Sequence, residues 1–273
     1  LYSAVFHEYL SRILANGTAI EYFIEGTRSR TGRLLQPKSG MLSMTVRGYL
    51  KYPTRPVMFQ PIYVGYERLV EGTSYTEELS GQPKKSESLF DLFKVFGVLK
   101  KRYGRVHVSF AEPVFLDDLL DRYEPKWRDN PLEDSQKPIW LTHLVSDLGE
   151  QNMNRTNDAA HDNALNLLAV ILLTTKKQAM GREDLLAILD LYLSLLDSCQ
   201  YSDRITYTKK SPAEIIDYGI ELGVIEVRHH PLGDIIALLP DQAILVTYFR
   251  NNISHLVALP SLVASCFLNQ RAI

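Results

Sequence analysis

The first half of the chain alternates between helical and strand-like spacing of apolar side chains. Residues 1–15 carry apolar side chains at helical spacing, and Asn16-Gly17 predicts the end of that helix. Residues 19–24, which are rich in Ile, Tyr and Phe, predict a strand. Ser39 is predicted to cap a helix that covers residues 40–51.

Strand signals return after the second helix. Residues 55–66 form a long β-rich stretch, in which Pro61 predicts an edge position, a bulge or two short strands. Residues 89–101 are amphipathic and predict a helix, and residues 106–110 alternate as a strand. Helices and strands in alternation predict an α/β fold with a mixed sheet for this half of the chain.

The composition changes between residues 116 and 138, where Asp, Glu and Pro are concentrated. We interpret this stretch as a surface connection or a domain boundary. The sequence beyond it is mostly helical, with a predicted β-hairpin formed by residues 224–227 and 235–238. The predicted helices cover residues 142–154, 159–174, 182–198, 212–222 and 241–256.

Composition and charge exclude several classes of protein. The chain has 273 residues, of which 45% are hydrophobic, and this excludes wholesale disorder. With 30 Lys+Arg against 32 Asp+Glu, it is not a uniformly basic nucleic-acid coat protein. Cys199 and Cys266 are too few for a disulfide framework or a Cys-based zinc site, so a reducing compartment is expected. The longest apolar run, residues 164–173, is far shorter than the roughly 20 residues of a membrane span and predicts a buried helix.

One segment departs from the nearly neutral average. It begins with Glu-Gly-Thr-Arg-Ser-Arg-Thr-Gly-Arg (residues 25–33), directly after the first predicted strand. Residues 27–55 contain no acidic side chain and seven basic ones, a local charge of +7 within 29 residues. The seven basic residues are Arg28, Arg30, Arg33, Lys38, Arg47, Lys51 and Arg55.

The chemistry of this segment suits an anion. Arg forks and Thr and Ser hydroxyls donate to phosphate oxygens, and Gly26 and Gly32 let backbone N–H groups approach a ligand. The end of a strand in an α/β sheet is also where ligands usually bind. Two interpretations stay open: a site for a phosphate ester, or a solvated basic loop.

Residues 21–35 (Glu-Tyr-Phe-Ile-Glu-Gly-Thr-Arg-Ser-Arg-Thr-Gly-Arg-Leu-Leu) resemble the third motif block of glycerol-3-phosphate acyltransferases. More specifically, they resemble the large membrane-associated 1-O-acyltransferases of bacteria. The resemblance continues through residues 37–44, through residues 61–67, which are similar to the fourth block, and through residues 248–255. It covers nearly the whole chain.

The resemblance implies acyl transfer from an acyl-carrier-protein thioester or acyl-CoA to the 1-hydroxyl of glycerol 3-phosphate, the first step of phospholipid synthesis. It implies no cofactor besides this acyl co-substrate, and no cluster of side chains has metal-ligand spacing. It also implies a peripheral location on the cytoplasmic face of the bacterial inner membrane, with the membrane surface as a partner.

The resemblance also implies a fold, which is part of an α/β acyltransferase domain followed by a mainly helical domain with a small β-hairpin. On that basis, residues 1–115 are the second half of the α/β acyltransferase domain. Residues 116–138 are the connection, and residues 139–273 are the helical C-terminal domain.

Candidate site residues follow from the resemblance by position. The third block is associated with holding the phosphate-bearing acceptor. Pro61 matches the fourth block, which is associated with the acyl-donor side or with the shape of the pocket. The implied substrate-binding residues of the third block are Glu25, Gly26, Thr27, Arg28 and Ser29, with Arg30 and Arg33 as helpers.

The general base of such enzymes is the His of a His-x-x-x-x-Asp block, in which Asp orients the His. The 24 residues before Glu25 contain neither this block nor the second block with its acceptor-binding Arg, and residue 1 is not Met. The catalytic His is therefore expected upstream of residue 1, and this chain alone is expected to be inactive. His229 and Asp234 have the formal spacing, but they follow the third block inside a predicted hairpin. We interpret them as a chance match on a solvated turn.

Two other functions stay open. If the chain is a whole protein, the absent base favours a non-catalytic module that binds a phosphate ester or an anionic membrane surface. The predicted helix, hairpin and helix between residues 212 and 256 have a winged-helix outline, which is typical of nucleic-acid binding. However, Arg228 is the only Lys or Arg between Lys210 and Arg250, and six acidic residues accompany it, so nucleic acid is not expected as a partner.

Overall fold

The computed structural model describes residues 2–68, 104–133 and 136–268, and the predicted helix over residues 89–101 lies outside them. Backbone contacts divide the chain into two units, and the predicted domain bounds stay a prediction. The first unit comprises Leu1–Ser29, Leu34–Tyr63 and Phe110–Asn157, and the second comprises Arg30–Arg33, Val64–Ser109 and Asp158–Ile273.

The N-terminal elements follow the predicted order closely. The first helix ends at Ala15, and Gly17 follows it with a φ of +77°, so the predicted helix and its end are confirmed. Residues 55–66 contain two short strands separated by Gln60 and Pro61, which is one of the three predicted arrangements. The elements up to residue 158 are α1 (Tyr2–Ala15), α2 (Ser39–Lys51), β1 (Met58–Phe59), β2 (Ile62–Tyr66), β3 (Val106–Phe110), β4 (Val114–Phe115), α3 (Leu116–Tyr123) and α4 (Ile139–Asp158).

The core of the first unit lies between α2, α3 and α4. Burying each of its leucines contributes about 1.5–3 kcal/mol to stability. Helix α3 falls within the predicted connection over residues 116–138. Two of its three acidic residues, Asp118 and Asp121, are exposed, while its leucines enter the core. The side chains at the centre of the core, all at most 1% exposed, are Leu42, Val46, Leu116, Leu120, Leu144 and Leu148.

The predicted strand over residues 19–24 is wrong. The side chains do alternate, since Tyr22 and Ile24 pack against the core while Phe23 is 85% exposed. A strand also needs a neighbour for its backbone N–H and C=O groups, and this segment has no ladder partner in the described chain. Its backbone is instead joined to the segment before α2, where Lys38 N donates to Ile24 O at 2.8 Å.

Strands β2 and β3 form a two-stranded sheet with an exposed apolar face. The predicted strand over residues 106–110 is confirmed by β3. An apolar surface of this kind marks a place where another element packs. The side chains that form the face, 42–63% exposed, are Ile62, Val64, Tyr66, Val106, Val108 and Phe110.

The second unit is mainly helical and contains the predicted hairpin. Helix α5 is buried along its whole length, which confirms the buried helix predicted from residues 164–173. The mixed α/β fold with a helical C-terminal part is thus confirmed, although its strands lie in small sheets of two or three. The elements are β5 (His161–Asp162), α5 (Ala164–Leu172), β6 (Ala179–Gly181), α6 (Arg182–Ser198), β7 (Thr206–Tyr207), α7 (Pro212–Glu221), β8 (Ile225–Arg228), β9 (Ile235–Leu238), α8 (Ala243–Asn252) and α9 (Ser254–Leu268).

Helices α5, α6 and α7, together with an antiparallel sheet in the order β6-β9-β8, have the topology of a winged helix. A capping box starts α7, because Ser211 N donates to the Glu214 carboxylate at 2.8 Å and Ser211 Oγ accepts from Glu214 N. The exposed side of α7 carries Glu214, Asp217 and Glu221. An acidic face repels phosphate groups, which argues against nucleic acid as its ligand.

The predicted helix over residues 241–256 is broken into two helices. Segments Pro240–Asn252 and Ser254–Leu268 are bent by 79° about Ile253. Within the described residues, no individual helix combines the length and the apolar composition of a membrane span, whereas this bent pair meets both criteria jointly. Helix α9 is exposed over most of its surface, including five large apolar side chains: Leu259, Leu262, Val263, Phe267 and Leu268.

Candidate phosphate-binding site

The basic loop, residues 25–35, is closed at its base by one of its own side chains. Glu25 Oε2 accepts a hydrogen bond from Leu35 N at 2.9 Å. Burial raises the pKa of the Glu25 carboxyl, and the hydrogen bond from Leu35 partly opposes that shift. Glu25 therefore ties together two positions ten residues apart. Its predicted contact with a substrate stays a prediction.

A glycine turn brings the loop close to the start of α2. Gly26 has a φ of +66°, and a Cβ there would lie 3.0 Å from Lys38 Cγ. Lys38 is the N-cap residue of α2 and makes no side-chain capping bond, while Ser39 is the first residue of the helix. The predicted cap at Ser39 is therefore wrong.

The tip of the loop, Arg30–Arg33, belongs to the second unit. Asn251 Nδ2 on α8 donates a hydrogen bond to Thr31 O at 2.7 Å. Gly32 adopts a φ of +80° and lies directly against α8, since a Cβ at Gly32 would be 2.3 Å from Tyr248 O. The backbone of the tip is thus fitted to the last turn and a half of α8.

The seven basic residues do not form one site. Lys51 Nζ pairs with Glu8 Oε2 at 3.2 Å, and Arg47 Nη2 donates to Gln136 O at 2.8 Å. Lys51 thus neutralises the charge of Glu8, and Arg47 holds the backbone at Gln136. The exposed cations of the loop and its C-terminal end are Arg28, Arg30, Arg33 and Lys38.

The remaining predicted residues have different environments. Thr27 is exposed and Ser29 is half-buried on the same loop, which is compatible with hydroxyl donation to a ligand. Pro61 is buried, and its carbonyl oxygen accepts from Ala111 N at 3.0 Å. Gln60 Nε2 strengthens that junction by donating to Ala111 O at 2.7 Å. These contacts suit the shaping role predicted for Pro61, and its link to the acyl donor stays a prediction.

His229 and Asp234 lie on the exposed turn of the β8–β9 hairpin, as predicted. Their side chains are 85% and 38% exposed, and His229 Nδ1 lies 2.9 Å from Asp234 Oδ1. This hydrogen bond spans the turn, so the spacing of His229 and Asp234 is explained by the structure of the hairpin. Across the described ranges, no group of three or more His, Cys, Asp or Glu side chains is arranged to hold a metal ion.

Comparison with known families decides what kind of protein carries this loop. Residues 75–273, more than half of the chain, match the model of the glycerol-3-phosphate acyltransferase C-terminal region. The chain belongs to the glycerol-3-phosphate acyltransferase family. Residues 1–65 match a second model, described as acyltransferase, and this part includes the basic loop. The resemblance seen in the motif blocks is therefore confirmed.

Individual glycerol-3-phosphate acyltransferases are similar to the chain over almost its full length. The protein of that name from Xanthomonas campestris pv. campestris is 50% identical over 272 residues, which are 99% of this chain and 31% of the relative. Those from Xylella fastidiosa (strain 9a5c) and Pseudomonas aeruginosa (strain LESB58) are 49% and 46% identical, over 100% and 98% of this chain and 32% of each relative. The chain thus spans about a third of the length of the curated relatives it matches.

Sequence reasoning missed the contribution of α8. Tyr248 and Asn251 lie within residues 248–255, which are part of the resemblance, but the sequence assigns them no role. Asn251 is 9% exposed and lies 220 residues from its partner Thr31. A buried Asn beside the apolar Phe249 needs a hydrogen-bond partner, and that was the available signal.

Proposed function

We propose that this chain carries the acceptor-binding part of a glycerol-3-phosphate 1-O-acyltransferase. The reaction is acyl transfer from an acyl-carrier-protein thioester or acyl-CoA to the 1-hydroxyl of glycerol 3-phosphate, the first step of phospholipid synthesis. The observation that carries the proposal is the loop of residues 25–35. It exposes guanidinium groups, and fixed backbone contacts hold it, in a chain of the matching family.

The loop offers the donors that a phosphate monoester needs. Arg28, Arg30 and Arg33 expose planar forks that bind two phosphate oxygens at once, and Thr27 adds an exposed hydroxyl. A loop that is held at its base by Glu25 loses less conformational entropy on binding than a freely solvated one. This preorganisation favours a binding site over a solvated basic loop.

The chemistry itself requires groups outside this chain. Attack by the 1-hydroxyl on the thioester needs a general base, and the family places a His-x-x-x-x-Asp block upstream of the basic loop. The exposed pair His229 and Asp234 receives no catalytic role, because its hydrogen bond serves the hairpin turn. The thioester already activates the acyl group, so the proposal includes no further cofactor and no metal.

The exposed face of β2 and β3 suits packing by the remainder of the α/β domain. The chain corresponds to about a third of its relatives, so two thirds of such a protein are available to cover this face. Six apolar side chains at 42–63% exposure are too many for a sheet face that stays in water. We assign the covering element to the N-terminal part of the parent enzyme.

Peripheral attachment to the cytoplasmic face of the bacterial inner membrane is part of the proposal. Helix α9 supports it, because Leu259, Leu262, Val263 and Phe267 are 51–71% exposed and no Asp, Glu, Lys or Arg occurs between Ser254 and Leu268. Sedimentation with vesicles of phosphatidylethanolamine and phosphatidylglycerol tests this. Leu262→Glu is expected to weaken binding several-fold, and the neighbouring exposed change Ser261→Glu is expected to weaken it less. Equal binding by the two variants would count against α9.

The function is tested by comparing this chain with a longer form that includes the upstream block. Acyl transfer to glycerol 3-phosphate is expected from the long form and not from the short one. Arg28→Ala in the long form is expected to raise the acceptor KM at least tenfold, since a charged hydrogen-bonding partner of the phosphate is lost. Activity of the short chain would exclude an upstream base, and an unchanged acceptor KM would exclude the role of Arg28.

A further inference from the structure

The geometry points to Asn251 as a positioning residue that fixes the tip of the phosphate-binding loop, Arg30–Arg33, within the second unit. This inference rests on the proposed function, because it assigns a role within the same site. Asn251 does not contact the substrate in this assignment. It acts on the backbone that presents Arg30 and Arg33.

Both ends of the Asn251 amide are engaged. Its Nδ2 donates to Thr31 O at 2.7 Å, and its Oδ1 accepts from Arg250 Nε at 3.3 Å and from Arg250 Nη2 at 3.2 Å. A guanidinium only donates, so Arg250 fixes which end of the amide is the oxygen. The NH2 group therefore faces the carbonyl of Thr31. Because Asn251 is 9% exposed, water competes poorly for this bond.

Gly32 provides a second, independent contact to the same helix. Its φ of +80° is a conformation that side chains rarely adopt. A Cβ at this position would lie 2.3 Å from Tyr248 O and 2.9 Å from Asn252 Oδ1, so no larger residue fits without moving the loop or the helix. Thr31 and Gly32 are therefore both fitted to residues 248–252, one by a hydrogen bond and one by contact.

The core of the second unit holds α8 in turn. Phe249 is fully buried, and its carbonyl oxygen accepts a hydrogen bond from Asn166 Nδ2 at 2.7 Å. Asn166 is itself fixed, because it forms the capping box of α5 with Asn163. The buried amide of Asn166 thus fixes the position of α8 along its axis. Because the loop tip is hydrogen-bonded to α8, the position of the tip is fixed as well.

The consequence concerns Arg30 and Arg33, the first and last residues of the tip. Arg30 and Arg33 flank Thr31 and Gly32 in sequence. Because the contacts to α8 fix the backbone of Thr31 and Gly32, they also fix the Cα positions of both arginines. Phosphate recognition by arginine forks depends on geometry at the level of about half an ångström, and a displaced loop loses that alignment. Weakening the contact to α8 is therefore expected to weaken acceptor binding while the acyl-donor side is unaffected.

The test measures steady-state kinetics of the full-length enzyme. Asn251→Ala and Asn251→Asp are each expected to raise the KM for glycerol 3-phosphate about tenfold, with kcat and the KM for acyl-CoA changed less than twofold. Asp retains the shape of Asn but replaces the NH2 donor by an oxygen that faces the Thr31 carbonyl. It keeps the test valid if the alanine variant does not fold.

A glycine pair provides the matched control. Gly32→Ala is expected to raise the same KM, because a methyl group collides with Tyr248 O. Gly223→Ala carries a similar conformational strain, with a φ of +65°, but its Cβ would meet no atom within 4 Å. Gly223→Ala is expected to leave the acceptor KM unchanged.

The outcomes separate this inference from the proposed function. If Arg28→Ala raises the acceptor KM and the Asn251 variants do not, the positioning role is overturned and the proposed function stands. If the Asn251 variants lower kcat and raise both KM values together, Asn251 serves general stability and the inference is also overturned. If Arg28→Ala itself leaves the acceptor KM unchanged, the proposed function fails first.

Discussion

The carboxylate of Glu25 accepts a hydrogen bond from the backbone N–H of Leu35 at 2.9 Å and so joins the two ends of the basic loop. An acidic residue at the start of an Arg-rich loop suggests either a charge partner for the arginines or a substrate ligand. The structure gives it a different use, because the backbone of the loop is its partner. The negative charge of Glu25 is thus held at the base of the loop, against the backbone N–H of Leu35.

Replacing Glu25 by Gln is expected to preserve acceptor binding, whereas Glu25→Ala is expected to weaken it several-fold. A Gln side chain still offers a carbonyl oxygen to Leu35 N, but Ala leaves that N–H without its partner, at a cost of about 1–3 kcal/mol. The KM for glycerol 3-phosphate of the two variants in the full-length enzyme is the measurement. A loss in Glu25→Gln equal to that in Glu25→Ala would mean that the charge, rather than the hydrogen bond, is needed.

The basic segment is expected to divide into two functional groups. Arg30→Ala and Arg33→Ala should each raise the acceptor KM, because these side chains are exposed on the loop. Arg47→Ala and Lys51→Ala remove the same charge but act on Gln136 and Glu8, and they should leave the acceptor KM within about twofold of the wild type. If all four variants had equal effects, the segment would act through its net charge alone.

Stability is expected to fall as the pH drops below about 6.5 because of His161. Burial, and then the charge of the neighbouring His107, lower the pKa of His161 to about 4. The His161 ring stacks on His107 at a centroid distance of 3.8 Å, and Nδ1 lies 2.8 Å from Thr206 Oγ1. Between pH 6.5 and 4 the unfolded chain takes up a proton that the folded chain excludes, which favours unfolding; above 6.5 this contribution is constant.

Urea unfolding at pH 7, 5.5 and 4.5 measures that dependence. His161→Phe keeps a flat ring and removes the titration, so its stability should vary less over this range. His230→Phe alters an exposed turn residue and should retain the dependence of the wild type. A His161→Phe variant with the full wild-type slope would show that other groups cause the acid sensitivity.

Asp162 is expected to lower the stability of the protein as the pH rises, which is the opposite of the effect of His161. Its carboxyl group is fully buried, none of the described residues donates a hydrogen bond to either oxygen, and burial raises its pKa well above the usual value. The contribution of Asp162 to the free energy of unfolding is complete below the pKa of Asp in the unfolded chain, about 3.9. It is lost as the pH rises through the higher pKa of Asp162 in the folded chain. Asp162→Asn cannot ionise, so the melting temperature should fall less between pH 5 and pH 8 than in the wild type. Asp118→Asn, an exposed change, is the control and should leave the slope unaltered.

Much of the fold can be predicted from local patterns in the sequence. Helices α1, α6 and α7 begin and end within one residue of the predicted positions, because caps, glycines and helical spacing act over a few neighbouring residues. The hairpin of β8 and β9 and the pair of strands around Pro61 were predicted for the same reason. The segment at residues 19–24 shows the limit, since its alternation predicted which side chains face inward but not whether a second strand lies beside it.

The candidate site also has some features that the sequence predicts and others that appear only in the folded chain. The presence of an Arg-rich loop with two glycines follows from the sequence, because the residue types and the motif blocks are read along the chain. The family to which the chain belongs also follows from the sequence. The sequence did not predict which of the seven basic residues are exposed on the loop, or that Glu25 binds Leu35, and the folded chain was needed to show both. The same holds for Asn251, which lies 220 residues from Thr31 and holds the tip. The contact between Asn251 and Thr31 joins residues far apart in sequence, so it forms only when packing of α8 brings them together, and the bond between Glu25 and Leu35 depends on how the loop folds back on itself.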